Sequence, residues 1–211
     1  MASNDYHFIT HWYVRGTIKE VTDILNDAEG LVRWWPSTYL EVKTLKEGDE
    51  RGLGKQVELY IKGWLPYTMR WKFTTTEIRD EGFTLQAHGD FEGRGIWTFK
   101  QKGDWVDITY DWLLSAQKPL LRYFSILLRP AFTLNHHWVM DRGEESLKLE
   151  LARRAATTPA ERAAIPAPPP PTDFSFVGMA VGAATIFTLV AGLGYWLVRQ
   201  FTGGNAFKNV S

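Results

Sequence analysis

Residues 16–36 read GTIKEVTDILNDAEGLVRWWP, and the rest of the chain can be placed outward from this stretch. Thr17, followed three residues later by Glu20, is a capping-box signature, which predicts that a helix begins at residue 18. The apolar residues that come next have helical spacing as far as Leu25. A second, shorter helix is predicted at 28–34. It ends before Pro36, because the residue that precedes a proline is driven out of the helical region.

Strands surround this helical pair. Residues 6–14 (YHFITHWYV) are aromatic and β-branched, which predicts a first strand before the helices. After the helices, apolar segments alternate with turns that carry Gly, Asp or Pro. These segments predict further strands at 39–45, 55–61, 68–78, 83–88, 95–100 and 105–114. Sequential strands joined by short turns indicate an antiparallel meander.

The last part of the predicted domain is helical. Apolar residues recur at helical spacing from Pro119 to Arg154, and Pro130 interrupts them, so the sequence predicts a short helix at 120–128 and a long one at 131–154. The order of these elements predicts an α+β fold. In this fold a curved antiparallel sheet wraps around the long C-terminal helix.

This order of elements resembles that of a known superfamily. The segments VTDILNDAEGLVRWWP at 21–36 and GEESLKLELARR at 143–154 carry the resemblance, which covers about residues 6–154. The chain resembles the SRPBCC or START-like superfamily, which includes the polyketide cyclase/dehydrase family and the START lipid-transfer domains. The resemblance implies a helix-grip fold with a deep cavity between sheet and long helix, usually for an apolar ligand. It assigns no catalytic residue.

Alternation of faces along the strands and helical spacing on the long helix predict which side chains share the interior. A ligand held there would contact mainly aromatic side chains from the strands and one stripe of the helix. The predicted ligand-binding residues are Trp71, Phe73, Leu85, Trp97, Phe99, Ile108, Tyr110, Trp112, His136, Met140 and Gly143.

Two residues of the helical stripe allow more than one interpretation. Gly143 costs about 1 kcal/mol relative to Ala inside a helix, and it provides room for a ligand, permits a close approach, or is neutral variation. His136 is either a buried histidine with a local partner or a polar anchor for a ligand. His137 points about 100° away from it on a helix, so the pair does not form the spacing of a metal site.

Composition excludes several classes of function. The chain has no Cys, which removes disulfides and thiolate chemistry. Its 24 basic and 24 acidic residues balance, and no basic stripe suggests nucleic-acid binding. We find no nucleotide-binding motif and predict no cofactor and no metal. Aromatic residues make up 14% of the chain, which fits either a large aromatic core or a ring-lined cavity.

A long uncharged segment, FSFVGMAVGAATIFTLVAGLGYWLV, begins at Phe174 and ends at Val198. As a helix it would be roughly 37 Å long, and a bilayer core needs about 30 Å. Tyr195 and Trp196 lie near one end, where interfacial aromatic residues are common. The segment therefore predicts one transmembrane helix. The spacing of its glycines allows a weak homodimer or another membrane-protein partner.

The predicted organisation is a cavity domain at 1–154, a Pro-rich linker at 155–173, the transmembrane helix at 174–198 and a short tail at 199–211. The prolines of the linker favour an extended, semi-rigid spacer that holds the domain off the membrane. The N-terminal residues lack the pattern of a signal peptide. We therefore expect a single-pass membrane protein with a cytoplasmic N-terminal domain.

Three classes of function remain open from the sequence. The first is membrane-tethered binding or transfer of a hydrophobic small molecule such as a lipid, quinone, isoprenoid or pigment. The second is an enzyme of the cyclase or aromatase kind, which would need an acid or base in the cavity. His136 is the best candidate for that group, and Tyr110 could assist it. A structural subunit of a membrane complex is the third alternative.

Overall fold

The computed structural model describes residues 5–117 and 125–172. Within these ranges the helical elements are α1 (Ile18–Asn26), α2 (Leu31–Trp34), α3 (Ser125–Ala155) and α4 (Pro159–Ala164). The strands are β1 (Asp5–Arg15), β2 (Tyr39–Lys46), β3 (Gln56–Lys62), β4 (Thr68–Arg79), β5 (Gly82–Gly89), β6 (Phe91–Lys102) and β7 (Trp105–Ala116).

The strands form one antiparallel sheet in the order β1-β7-β6-β5-β4-β3-β2. From β2 to β7 each strand pairs with the next one along the chain, and β1 closes the order by pairing with β7. The sheet is curved, and the long helix α3 packs against β1, α1 and α2. The predicted meander around a C-terminal helix is therefore confirmed.

Helix α1 has the predicted start. The Thr17 hydroxyl accepts a hydrogen bond from the Glu20 backbone N–H, and the Glu20 carboxylate accepts one from the Thr17 backbone N–H at 2.8 Å. The inner face of the helix buries Val21 and Ile24 completely. Its cap and its apolar spacing thus act together to dock it against the domain.

A buried carboxylate fastens α2 to α3. Glu150 on α3 is only 2% exposed, and Arg33 on α2 donates two hydrogen bonds to it, each 2.8 Å long. Arg154 donates a third at 2.9 Å and Arg153 a fourth at 3.3 Å. Such pairing is what permits a carboxylate to remain charged inside a protein.

The predicted break at Pro130 is wrong, because α3 runs through this residue from Ser125 to Ala155. A proline removes one backbone hydrogen bond and crowds the preceding turn. Here it lies near the described start of the helix, where few turns precede it. Burial of the following turns, such as His136 and Met140, offsets the loss. Part of the predicted short helix at 120–128 is therefore the start of α3, and residues 118–124 lie outside the described ranges.

The segment predicted as a linker differs from a free spacer in its described part. It contains helix α4, which begins with a capping box between Thr158 and Glu161 and with Pro159 at its first turn. Residues 166–172, which we call the strap, follow without regular structure and contact the domain. Arg153 donates a hydrogen bond to the Pro166 carbonyl at 2.9 Å.

The far end of the strap is also fixed. The Thr172 hydroxyl donates to the Gly63 carbonyl at 3.1 Å, and the Lys62 ammonium donates to the Thr172 carbonyl. The predicted transmembrane helix from Phe174 to Val198 and the tail at 199–211 lie outside the described residues. Among the helices at 5–117 and 125–172, none combines the length and the apolar character needed to cross a bilayer.

Candidate functional site

A cavity of about 370 Å³ lies between the sheet and the long helix. Its walls are mainly aromatic and aliphatic, and they are contributed by β2–β7, α2, α3 and the end of α1. We call it the main cavity. Most of the predicted ligand-binding residues line it, namely Trp71, Phe73, Leu85, Trp97, Tyr110, Trp112 and Met140.

Two phenols, Tyr39 and Tyr110, supply polar groups to its inner wall. The Tyr110 ring stacks on Trp97 with ring centroids 4.1 Å apart, and Tyr39 meets Trp35 edge-on at 5.2 Å. A side chain at Gly95 would displace this phenol, because its Cβ would lie 2.6 Å from the Tyr110 hydroxyl. Close approach of backbone and phenol therefore fixes the Tyr110 ring.

Both phenols are neutral at physiological pH. Burial raises the pKa of Tyr39, and burial with the neighbouring Tyr39 raises the pKa of Tyr110 well above its ordinary value. No described residue makes a hydrogen bond to either hydroxyl. A phenol both donates and accepts, so this pair can bind an oxygen of a bound molecule without adding charge.

Charged groups lie at one end of the main cavity. Among the described residues that line it, every carboxylate and every cation belongs to 47–55, the loop between β2 and β3. The Glu47 and Arg51 side chains in this loop are largely exposed, which identifies this end as the mouth. The inner wall therefore has apolar surfaces and neutral polar groups, a combination suited to uncharged ligands.

Phe99 and Ile108, which were also predicted to bind ligand, lie elsewhere. They are 0% and 1% exposed and belong to close-packed core below the main cavity. Gly143 does not line the cavity either. A Cβ at this position would lie 2.2 Å from the Trp35 ring, so the glycine provides for close approach of an indole and not for ligand space.

His136 lies beside a second, smaller cavity of about 80 Å³. Its Nε2 atom is 3.1 Å from the Thr10 hydroxyl, and its ring stacks on Phe8 with centroids 4.0 Å apart. Burial, with a smaller contribution from His137, lowers the pKa of His136 to about 4. The imidazole is therefore neutral at pH 7, has a local partner, and is not part of the main cavity wall.

The smaller cavity adjoins the main one. Ile61, Trp112 and Val139 line both spaces, so the wall between them is one side chain thick. The remaining wall is mainly aromatic and aliphatic, with Lys62 as its charged residue, and it comes from β1, β3, β4, β6, β7 and α3 as well as from Gly63 and Tyr67. Across residues 5–117 and 125–172, no three His, Cys, Asp or Glu side chains come together as a metal site.

Sequence reasoning missed several lining residues, of which Trp35, Tyr39, Leu59 and Ile61 matter most. The alternation of Val57, Leu59 and Ile61 along β3 was a usable signal, because every second residue of a strand faces the same side. Trp35 and Tyr39 had no such signal. Their placement depends on the sharp turn around Pro36, which no spacing rule describes.

No model of a known protein family matches this sequence, and no curated protein matches it. Solved structures do. The Zhui aromatase/cyclase from Streptomyces sp. R1128 superposes with a TM-score of 0.58 and 15% identity, covering 72% of this chain and 97% of that chain. TTHA0849 from Thermus thermophilus has a TM-score of 0.56 and 14% identity, covering 72% and 100%.

A protein with two such domains also superposes on this chain. The di-domain aromatase/cyclase StfQ from the steffimycin biosynthetic pathway has a TM-score of 0.54 and 10% identity, covering 72% of this chain and 52% of that one. At such low identity the similarity shows the fold and not the activity. The chain therefore has the helix-grip fold of these solved structures.

Proposed function

We propose that this protein binds an uncharged, mainly apolar small molecule in the main cavity, with a ligand oxygen held by Tyr39 and Tyr110. The observation that carries the proposal is the cavity of about 370 Å³ with aromatic walls and two neutral phenols. Ligand pockets are commonly about 300–1,000 Å³ in volume and mainly apolar, with a few polar groups that orient the ligand.

Binding is favoured over catalysis by the chemistry of the inner wall. A cyclase or aromatase mechanism needs a group that exchanges protons near neutral pH. Among the described residues, the inner wall offers phenols whose pKa is raised by burial. His136, the candidate base, lies at the smaller cavity and bonds to Thr10. The enzyme alternative would need a proton acceptor outside this set.

Calorimetric titration with 2-naphthol tests the proposal. This ligand is aromatic, uncharged and has one oxygen, and 2-naphthoate is its charged counterpart. The full-length chain is placed in lipid nanodiscs, and empty nanodiscs correct for partitioning. We expect saturable binding of 2-naphthol and at least tenfold weaker binding of 2-naphthoate, because the inner wall has no cation to pair with a carboxylate.

Variants locate the bound molecule. Leu85→Trp fills the main cavity and should abolish binding, whereas Leu113→Trp, at a residue 43% exposed, makes the same change elsewhere and should not alter it. Tyr110→Phe removes one hydrogen bond and should weaken binding about two- to tenfold. Equal binding by Leu85→Trp and wild type would refute a ligand site in the main cavity.

We further propose that the segment from Phe174 to Val198 forms a helix that tethers this domain to a membrane, with the domain on the cytoplasmic side. The support is the length and apolar character of that segment. Protease added outside right-side-out vesicles should leave the domain intact. Digestion of the domain under those conditions would reverse the proposed topology.

A further inference from the structure

The smaller cavity and the main cavity are separated only by side chains. Ile61 on β3, Trp112 on β7 and Val139 on α3 each line both spaces. Ile61 and Val139 present only aliphatic groups to this wall. A hydrocarbon chain that moved between them would replace their contacts with similar apolar contacts, so no polar contact of these two residues has to break when the two spaces join.

The two spaces differ in size and in the shape of their lining. The main cavity is about 370 Å³, and its indoles and phenols offer flat surfaces for a ring system. The smaller one is about 80 Å³, which is too narrow for fused rings. The edges of Tyr6, Phe132 and Tyr67 enclose it, with Phe132 meeting both tyrosines nearly at right angles.

The smaller cavity has one charged lining residue, Lys62, whose ammonium donates to the Thr172 carbonyl, and its other polar groups are uncharged. Tyr6 is only 4% exposed, and its hydroxyl has no hydrogen-bond partner among the described residues. Burial raises its pKa against the opposing effect of Arg129, so the phenol is neutral. His136 is neutral as well and bonds to Thr10. Because Lys62 is engaged by Thr172 and the rest of the wall is mainly aromatic and aliphatic, this end of the interior favours a mostly apolar group.

We propose that the two cavities hold the two parts of one elongated ligand, a ring system with an oxygen in the main cavity and a hydrocarbon tail in the smaller one. The tail passes Trp112 and ends beside Tyr6. The ligand class is thus an uncharged ring compound with an aliphatic side chain. This inference rests on the proposed function, and it adds where the tail lies and which residues limit its length.

A series of 4-alkylphenols from phenol to 4-nonylphenol tests it. The full-length chain in nanodiscs is dialysed to equilibrium, so that the free aqueous concentration of each phenol is measured and lipid partitioning is removed. We expect Kd to fall roughly fourfold for each CH2 that enters an apolar space. The fall should stop at the length at which the smaller cavity is full.

Substitutions at the smaller cavity should move that stopping point. Ala116 is 1% exposed and lines only the smaller cavity, so Ala116→Leu should make the fall in Kd stop at a shorter tail. Phe132→Ala enlarges the same space and should move the stop to a longer tail. Ala28 lines only the main cavity, and Ala28→Leu should weaken every phenol while the stop stays in place.

The outcomes separate this inference from the proposed function. If no phenol binds to wild type, both fail. If phenol binds but tail length has no effect, or if neither Ala116→Leu nor Phe132→Ala moves the stop in folded protein, the two-cavity ligand is overturned and the main-cavity ligand stands. Two bound phenols per chain would likewise overturn it, because they would show independent sites. If the stop moves to a shorter tail in Ala116→Leu and to a longer tail in Phe132→Ala, the two-cavity ligand is supported.

Discussion

Two regions of the same aromatic interior have opposite packing. In the packed half, Val14, Ile24, Phe99, Ile108 and Leu147 are at most 1% exposed, and none of them lines a cavity. In the open half, rings of the same types surround about 370 Å³ of space. Residue composition is therefore not what separates a filled core from a cavity. The difference must come from how the elements meet.

The boundary between the halves is one tryptophan. Trp35 fits against Gly143, and its ring contacts Trp12 and Trp34 at centroid distances of 5.5 Å each on the packed side. Its other side faces the main cavity, so it forms the floor. Along α3 the order from N- to C-terminus is smaller cavity, main cavity, Trp35 and packed half. The glycine that admits this indole thus determines where the main cavity ends.

Gly143→Trp should have the largest effect on this comparison. No space is available at this position, because even a Cβ would lie 2.2 Å from the Trp35 ring. We expect a loss comparable to the whole free energy of folding, about 5–15 kcal/mol, and hence no cooperative thermal transition in tryptophan fluorescence. A variant that folds normally and no longer binds ligand would mean that Gly143 faces the cavity after all.

The smaller substitution Gly143→Ala identifies the cause. Overpacking against Trp35 should cost about 1–3 kcal/mol, even though alanine is the better helix former by about 1 kcal/mol. In a Trp35→Phe background the colliding ring atoms are absent, so the same change should become neutral or stabilising. If the double-mutant cycle showed no coupling between residues 143 and 35, the direct contact between them would be contradicted.

Shortening a side chain to alanine should lower the free energy of unfolding more in the packed half than in the open half. Ile108→Ala in the packed half leaves an enclosed cavity, so we expect a loss of about 2–5 kcal/mol. Leu85→Ala in the open half removes a side chain that already borders empty space, and it should lose fewer contacts and cost about 1–2 kcal/mol. Chemical denaturation of both variants gives these values. Equal decreases in the free energy of unfolding would mean that the main cavity is filled in solution.

The open half also contains a group that makes stability depend on pH. Burial lowers the pKa of His136 from 6.5 to about 4 in the folded protein. As pH falls from about 6.5 to 4, the unfolded chain takes up a proton that the folded chain does not. The free energy of unfolding should therefore fall by on the order of 3 kcal/mol over this window. His136→Gln should remove this part of the pH dependence, and an unchanged slope would contradict burial of a neutral imidazole.

The packed half should respond at lower pH. Burial acts to raise the pKa of Glu150, but the hydrogen bonds and charges of Arg33 and Arg154 outweigh it and lower the pKa from 4.5 to about 2. As pH falls from about 4.5 to 2, the unfolded chain becomes protonated first, so stability is lost in this window. We expect on the order of 2 kcal/mol, since the arginines are partly exposed. Glu150→Gln measured against wild type isolates this pH dependence, which should be absent above pH 5, where the stabilisation by the ionised carboxylate is fully present.

The sequence predicted those parts of the fold that depend on local rules. The capping box at Thr17, the alternation along β7 and the meander all follow from neighbours in the chain. The capping box between Thr158 and Glu161 was equally visible, yet the surrounding prolines favoured a linker there. For α3, the local cost of Pro130 was outweighed by packing, which the sequence does not display.

The candidate site was only partly predictable for the same reason. For β4 to β7, alternation identified the side that faces inward, but it could not say where the interior is filled. Phe99 and Trp97 share a face of β6, and only the second lines the main cavity. That distinction depends on Trp35, which reaches Gly143 from a distant turn. The Arg33–Glu150 pairing is likewise a long-range contact without a signature in spacing.

The strap connects the two halves, and its removal should give the smallest effect. It is fixed by Arg153 at Pro166 on the packed side, and by Lys62 and Gly63 at Thr172 beside the smaller cavity. Each such hydrogen bond contributes about 0.5–1.5 kcal/mol, and ordering the strap offsets much of the sum. A chain that ends at residue 165 should therefore still fold, and it should be about 1 kcal/mol less stable than one that ends at 172.

Hydrogen exchange shows where that loss falls. Ending the chain at 165 should speed exchange at Lys62 and Gly63, because their partner Thr172 is gone, and it should leave the β6–β7 pairing around Ile108 unchanged. Thr172→Val in the longer chain removes only the hydroxyl and should reproduce part of the change at Gly63. Faster exchange throughout both halves would mean that the strap supports the whole domain. In that case the folded unit would end at 172 and not at the predicted residue 154.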